Sequence, residues 1–155
     1  MNEREQSLAK AFDQLFSVLI QNLLQHLTRE ITKVGLTVVQ FYFLRQLRRL
    51  GPWTAAQVGE ALGITSGPVS GLTKRMIARG LVARRADDAD RRVAWFSVTE
   101  RGDALLAEAE ERVLTLWSRV IREFGVAPAA DLLDLLTVVS EILQGLSPAA
   151  GRTEG

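Results

Sequence analysis

A mainly α-helical fold carrying one small β-hairpin (α+β) is what this sequence predicts, and three observations predict it. Apolar residues recur at three- and four-residue spacing through most of the chain, as on helices packed by one face. Between Leu62 and Gly102 (LGITSGPVSGLTKRMIARGLVARRADDADRRVAWFSVTERG) that period gives way to two short β-prone runs around a charged turn. Two helical segments only a few residues apart come just before the hairpin, the spacing of a helix-turn-helix. Helix, helix, hairpin and helix together describe a winged helix-turn-helix, here with further helices at both ends. Such a unit puts a helix in a DNA major groove and a basic loop on the adjacent backbone or minor groove.

Each element has its own signal. Leu8, Phe12, Leu15, Leu19, Leu23 and Leu27 predict an amphipathic helix of roughly 20 residues or more, and Phe16, Ile20 and Leu24 widen its apolar face. Gly35 ends that pattern. Leu36-Thr37 opens a second helix with Val38, Phe41, Leu44 and Leu47 inward, stopped by Gly51-Pro52. Thr54-Ala-Ala-Gln57 is a capping box for a short helix ending at Leu62-Gly63. Thr65 caps the next helix and Gly80 stops it. Leu81 to Arg85 and Val93 to Val98 are the strands, with Ala94, Phe96 and Val98 on one face and Val93, Trp95 and Ser97 on the other. Thr99 caps a long helix carrying Leu105, Leu106, Ala109, Val113, Leu116, Trp117, Val120 and Phe124, and Gly125 ends it. Pro128 fits the first turn of a last helix with Leu132, Leu135, Leu136, Val139, Ile142 and Leu143.

The bulk numbers narrow the function. The chain has 155 residues, 47% hydrophobic and 24% charged, as in an ordinary globular protein. It has no cysteine and one histidine, His26. Disulfides, thiolate metal sites and thiol redox sensing are therefore excluded, and no cofactor or metal is expected. The composition suits a cytoplasmic protein. Neither a secretion signal nor an apolar run long enough to span a bilayer is visible, so no membrane association is expected. No Ser/His/Asp set, phosphate-cradling loop or paired histidine ligands are present, so the chain is not read as an enzyme. The net charge is only +1, but its distribution is uneven. From Thr65 to Arg92 seven cations face three aspartates, a surplus of four that leaves the remainder of the chain at −3.

The helix after Thr65 has a distinctive exposed face. At 100° per residue Val69, Leu72, Thr73 and Met76 point inward, and Gly67, Ser70, Gly71, Lys74 and Ala78 outward, with Arg75 at the edge. Each glycine there costs about 1 kcal/mol against alanine. Gly67 and Gly71 are read as allowing close approach to DNA, Ser70 as reaching a base edge or thymine methyl, and Lys74 a guanine or phosphate. Ser66, Pro68 and Arg75 complete the DNA-facing set on this helix. In the wing, Arg92 is read as the minor-groove residue and Asp90, two positions earlier on the same face, as the carboxylate that holds its guanidinium. Arg84, Arg85 and Arg91 are read as phosphate contacts. The alternative for Asp90 and Arg92 is an ordinary surface ion pair worth about 0–1 kcal/mol.

LGITSGPVSGLTKRMIARGLV followed by DDADRRVAWFSVTERG resembles the MarR family of bacterial transcription regulators. The likeness lies in a recognition helix ending in R-G-L-V, a D-x-x-D-R-R wing tip and a V-T-x-x-G entry to the next helix, where leucine usually stands for Val98. It implies a homodimer built from the first helix and the last two, bound to a pseudo-palindromic operator, usually as a repressor. Asp90 and Arg92 match the family's wing pair and Ser70 its small hydroxyl position. Gly71 and Lys74 depart from the pattern, so the operator sequence does not carry over. Residues 1–34 and 100–146 then form the helical dimerisation region, 35–99 the DNA-binding domain, and 147–155 a disordered tail. Leu8, Phe12, Leu15, Leu19, Val120, Phe124, Leu132, Leu136, Val139 and Leu143 are the expected dimer contacts. The partners are double-stranded DNA and a second copy of the chain. The resemblance also implies release by a small aromatic or lipophilic anion, for which His26, Phe41, Tyr42, Trp53, Trp117 and Arg119 are candidate lining groups. Core packing or surface contact is the competing role of each. A winged helix that binds proteins and never reads specific DNA is the alternative function.

Overall fold

The computed structural model describes residues 2–63, 65–90 and 92–146, and of Ser66 the backbone alone. Arg91 and the expected disordered tail, 147–155, lie outside the described residues. The element order is α1 (Glu3–Thr32), α2 (Val38–Leu50), β1 (Trp53–Thr54), α3 (Ala55–Leu62), α4 (Ser66–Ala78), β2 (Val82–Ala86), β3 (Ala94–Val98), α5 (Glu100–Phe124) and α6 (Val126–Leu146). The chain forms two compact units that divide after Leu114.

The first unit holds the core. Leu27 and Ile31 from the last turns of α1 are buried, with Phe41, Phe43, Leu44 and Leu47 of α2. Val58, Val69, Leu72, Met76 and Phe96 are buried too, as are Leu106, Ala109 and Val113 of α5. Capping boxes set three helix starts, the first from Asn2 and Glu5 at α1. Thr37 and Gln40 exchange side-chain to backbone bonds at α2, and Thr54 and Gln57 do so at α3. Phe43 replaces Val38 in the buried set, because it follows Gln40 by three residues and precedes Leu47 by four, on one helical face. Val38, in the first turn, is half-buried.

Three corrections concern the winged unit. The sheet has a third strand: Trp53 pairs with Phe96 and Thr54 with Trp95, so β3 is central in the order β1-β3-β2. A two-residue strand is too short to show a period in sequence. The hairpin strands begin at Val82 and Ala94, one residue later than Leu81 and Val93. Leu81 is instead occupied by the exit from α4. Gly80, at φ +68°, lets its own amide donate to the Ile77 carbonyl while the Leu81 amide donates to Met76, the two bonds of a Schellman motif. Finally, Thr65 has the extended backbone of an N-cap but its side chain makes no capping bond.

The start of α5 is fixed by a close approach. Thr99 Oγ1 donates to the Gly80 carbonyl and accepts from the Gly102 amide, and the Thr99 amide donates to the Leu81 carbonyl. A Cβ on Gly102 would lie 2.1 Å from that Leu81 oxygen. Across the same unit, Arg48 of α2 reaches Glu110 and Asp103 of α5, and this pairing stabilises its positive charge.

Much of α1 and all of α6 bury little. Leu15 is 65% exposed, and Leu8, Phe12 and Leu19 about half. In the second unit no residue of α6 is buried, and Trp117, Val120 and Phe124 of α5 are exposed.

Gly102→Ala is expected to lower stability by about 1–3 kcal/mol, because a backbone carbonyl must move to admit the methyl group. Thermal unfolding checks this; an unchanged midpoint would remove the close approach as a constraint.

Candidate nucleic-acid interface

Helix α4 buries Val69, Leu72, Thr73 and Met76, each at most 5% exposed. The buried Thr73 hydroxyl is satisfied by donating to the Val69 carbonyl at 3.0 Å. That packing turns Gly67, Pro68, Ser70, Lys74 and Arg75 out to solvent, with Gly71 half-buried between them. Around Gly67 the space a Cβ would fill is open. At Gly71 such an atom would have only the Arg75 guanidinium beside it, 3.4 Å away. Among the described residues, nothing in the packing requires either glycine. At the helix end Arg79 Nη1 donates to Gln40 Oε1 at 3.3 Å, tying α4 to the start of α2.

The wing stands on β2 and β3, paired in register from Val82 with Val98 to Ala86 with Ala94. Two backbone bonds close its tip, Asp87 N to Val93 O and Val93 N to Asp90 O. Asp90 Oδ1 accepts from both the amide of Arg92 (2.9 Å) and its Nε (3.2 Å). The Arg92 side chain is nevertheless 93% exposed. Arg84 and Arg85 are exposed on β2.

Sequence reasoning gave Asp87 and Trp95 no role, and the structure joins them. Asp87 Oδ1 accepts from the amides of Ala89 (2.9 Å) and Asp90 (3.0 Å), while its Oδ2 accepts from the Trp95 indole at 2.7 Å. The indole bond first, and then the two amides, hold the Asp87 carboxyl below the usual aspartate range. These bonds are therefore complete at neutral pH, and what they contribute is lost only as the pH falls through that lowered value. The available signal was the Asp-Asp-Ala-Asp run, since an aspartate side chain readily accepts from amides two and three residues on.

The candidate effector residues belong to both units. His26 is exposed on α1. Phe41 is 1% exposed, its ring edge-on to Tyr42 at 5.3 Å, so a ligand reaching it must displace core packing. Tyr42 is exposed, with Arg45 one turn on and 6.0 Å from the Phe41 ring. Trp53 is buried in β1 and borders a cavity of about 330 Å³ with Gln46, Leu50, Gln57, Glu60 and Ala61. That lining holds a carboxylate and no cation, the wrong charge for an anion. Trp117 and Arg119 belong to the second unit, both exposed. Among the described residues no group of three His, Cys, Asp or Glu could hold a metal ion, and no helix is long and apolar enough to cross a membrane.

A sequence model described as the MarR family matches residues 34–93, the segment that holds α2, α3, α4 and most of the wing. The chain is 31% identical over 81 residues to the HTH-type transcriptional regulator MhqR of Bacillus subtilis, covering 52% of this chain and 56% of that protein. It is 38% identical over 71 residues to the HTH-type transcriptional repressor NicR of Pseudomonas putida, covering 46% and 45%. The chain thus spans about half the length of these two relatives. Among solved structures, Bordetella bronchiseptica BpsR superposes with a TM-score of 0.69 at 27% identity, over 83% of this chain and 91% of that one. The description of that structure concerns regulation of BpsR DNA binding by 6-hydroxynicotinic acid.

Proposed function

We propose that this chain, whose residues 34–93 match the MarR family, is a homodimeric regulator that binds a pseudo-palindromic operator and represses transcription from it. The observation that carries the proposal is the pairing of two surfaces: the small, glycine-bearing outer face of α4, and a wing that projects Arg92 while Asp90 holds it. In this reading residues 35–99 bind DNA. Ser66, Gly67, Pro68, Ser70, Gly71, Lys74 and Arg75 face the major groove, and Arg92 enters the minor groove with Asp90 as its orienting partner. Arg84, Arg85 and Arg91 contact phosphates, which position without specifying. The relatives NicR, named a repressor, and BpsR, described by its DNA binding, support the sign and the target. It acts in the cytoplasm, on the DNA there.

Residues 1–34 and 100–146 supply the dimer. Support comes from Leu8, Phe12, Leu15 and Leu19 on α1, and from Val120, Phe124, Leu132, Leu136 and Leu143, all left exposed by a single chain; Val139 is half-buried. Large apolar side chains exposed in this number mark an association site. Two copies related by a twofold axis then present two α4 helices to successive major grooves. A small aromatic carboxylate is the proposed effector, supported by the acid in the description of BpsR, with Tyr42 the exposed aromatic of the first unit's candidate set. It releases DNA by binding one dimer geometry better than the other.

The deciding experiment selects duplexes from a randomised pool with the full-length protein. A shared palindromic sequence is expected, bound about 10³-fold or more above unrelated duplex, with affinity falling as salt rises. Arg92→Ala should weaken the selected duplex about tenfold or more, with a smaller loss on unrelated DNA. If no sequence is enriched, the protein-interaction reading takes its place.

Gly67→Ala and Gly71→Ala should each stabilise the fold by about 0.5–1 kcal/mol, since among the described residues the added methyl meets at most the end of the flexible Arg75 side chain. Both should bind the selected duplex more weakly. Stabilised variants with intact affinity would mean that α4 does not approach DNA through its glycines.

Phe12→Glu combined with Leu19→Glu is expected to give monomers in sedimentation at concentrations where the parent is a dimer, because two charges would be buried unpaired at the seam. A dimer that survives both charges places the interface elsewhere.

A further inference from the structure

We propose that Asp87 and Trp95 form a clamp that pre-orders the wing tip, and that both are positioning residues for Arg92. The inference rests on the DNA-binding reading above. It adds the residues that make the wing a rigid probe and not a flexible arm.

The connection runs from the sheet outward. Trp95 lies in the central strand, paired with Thr54 on one side and Arg85 on the other. Its indole is half-buried, and the N–H of such a ring requires an acceptor. The acceptor is Asp87 Oδ2, in a short charge-assisted bond. The other oxygen of the same carboxylate takes the amides of Ala89 and Asp90. The backbone at Asp90 is thereby fixed, and Asp90 in turn holds Arg92 through its amide and its Nε. Among the described residues, Asp90 is the hydrogen-bond partner of the Arg92 guanidinium.

Without the clamp, two backbone bonds and the Asp90 contacts to Arg92 would hold the tip among the described residues. An exposed arginine on a loosely held turn samples many rotamers, and binding must then order both turn and side chain. A tip ordered beforehand loses less entropy on entering a groove. Phenylalanine at position 95 would fill similar space without an N–H, so the indole nitrogen is the atom in question. Asp87 also removes a difficulty: a carboxylate near DNA repels phosphate, but both oxygens of this one are engaged inside the wing.

The test is a double-mutant cycle on the full-length protein, using a duplex selected from the randomised pool and an unrelated duplex as control. Trp95→Phe is expected to weaken the selected duplex about tenfold when Arg92 is present, the scale of a hydrogen bond to a charged group. It should leave the salt slope unchanged, because no phosphate-contacting cation is lost. Once Arg92 is replaced by alanine, Trp95→Phe should add little. Asp87→Asn, which leaves the sheet untouched, should reproduce this pattern. Equal losses in both Arg92 backgrounds, or no loss at all, would overturn the positioning role. A separate measurement reads the clamp without DNA. In Asp87→Ala the Trp95 indole N–H resonance should move upfield while those of Trp53 and Trp117 stay; an unmoved resonance removes the clamp. If the parent protein enriches no duplex, the DNA reading and the presentation role fall together, while the resonance still reports whether the indole bond exists.

Discussion

One backbone corner governs the geometry of the winged unit. At Gly80-Leu81 the exit of α4, the entry to β2 and the start of α5 meet. The Leu81 amide closes the Schellman motif of α4, its carbonyl accepts from Thr99, and Gly102 packs against that same oxygen without a Cβ. The Thr99 hydroxyl spans the corner, donating to Gly80 and accepting from Gly102. Recognition helix, wing base and long helix are thus joined through a few peptide units with little freedom. A rotation of α5 at this point carries α4 and the wing with it. That rigidity suits the proposed dimer, in which a change of geometry would alter the spacing of two α4 helices.

A second link reinforces the first from the other side of the unit. Arg48 of α2 is held by Glu110 and Asp103 of α5, and Arg45 approaches Glu110 as well. These groups are partly solvated, so the pairs contribute little to stability and are screened by salt. Their value lies in orientation, because a guanidinium gripped by two carboxylates fixes the direction of the helix carrying it. Arg79 and Gln40 make a comparable tie between α4 and α2. The winged unit is braced to its neighbouring helices by polar contacts around an apolar core.

The helices and the face of α4 were legible because both are periodic. Val69, Leu72, Thr73 and Met76 fall at helical spacing, and all four are buried. The Thr54–Gln57 box and the Gly80 stop are local, so a few residues suffice to specify them. What sequence did not reveal depends on partners distant along the chain. β1 exists because Trp53 and Thr54 meet a strand some forty residues later. The demand on Gly102 comes from a carbonyl 21 positions earlier. Thr65 shows the converse: its residue type fits a cap, yet its side chain makes no such bond. Of the wing, the Asp90–Arg92 contact was expected from two residues sharing a face of an extended segment, but the structure makes it in a turn, where Asp90 Oδ1 accepts from the Arg92 amide and the Asp90 carbonyl from that of Val93. The role of Asp87 was not, because it needs Trp95 to arrive from the opposite strand. The effector candidates were chosen by chemical type alone. Of those in the first unit, Phe41 and Trp53 are buried and His26 and Tyr42 exposed, since aromatic residues serve a core as readily as a ligand.

The wing also resolves an electrostatic tension. Its tip carries three aspartates among arginines, and each carboxylate facing DNA would oppose binding. Asp87 and Asp90 instead accept five hydrogen bonds within the wing, from three backbone amides, one indole and one guanidinium. Their charge is directed inward, onto donors that fix the turn, while the Arg92 side chain remains almost wholly solvent-exposed. A tip of arginines alone would attract phosphate more strongly but would hold no particular shape, and attraction without shape cannot distinguish one groove width from another. The acidic residues lower the raw charge of the wing in exchange for a defined geometry, the compromise that the proposed sequence-selective DNA binding calls for.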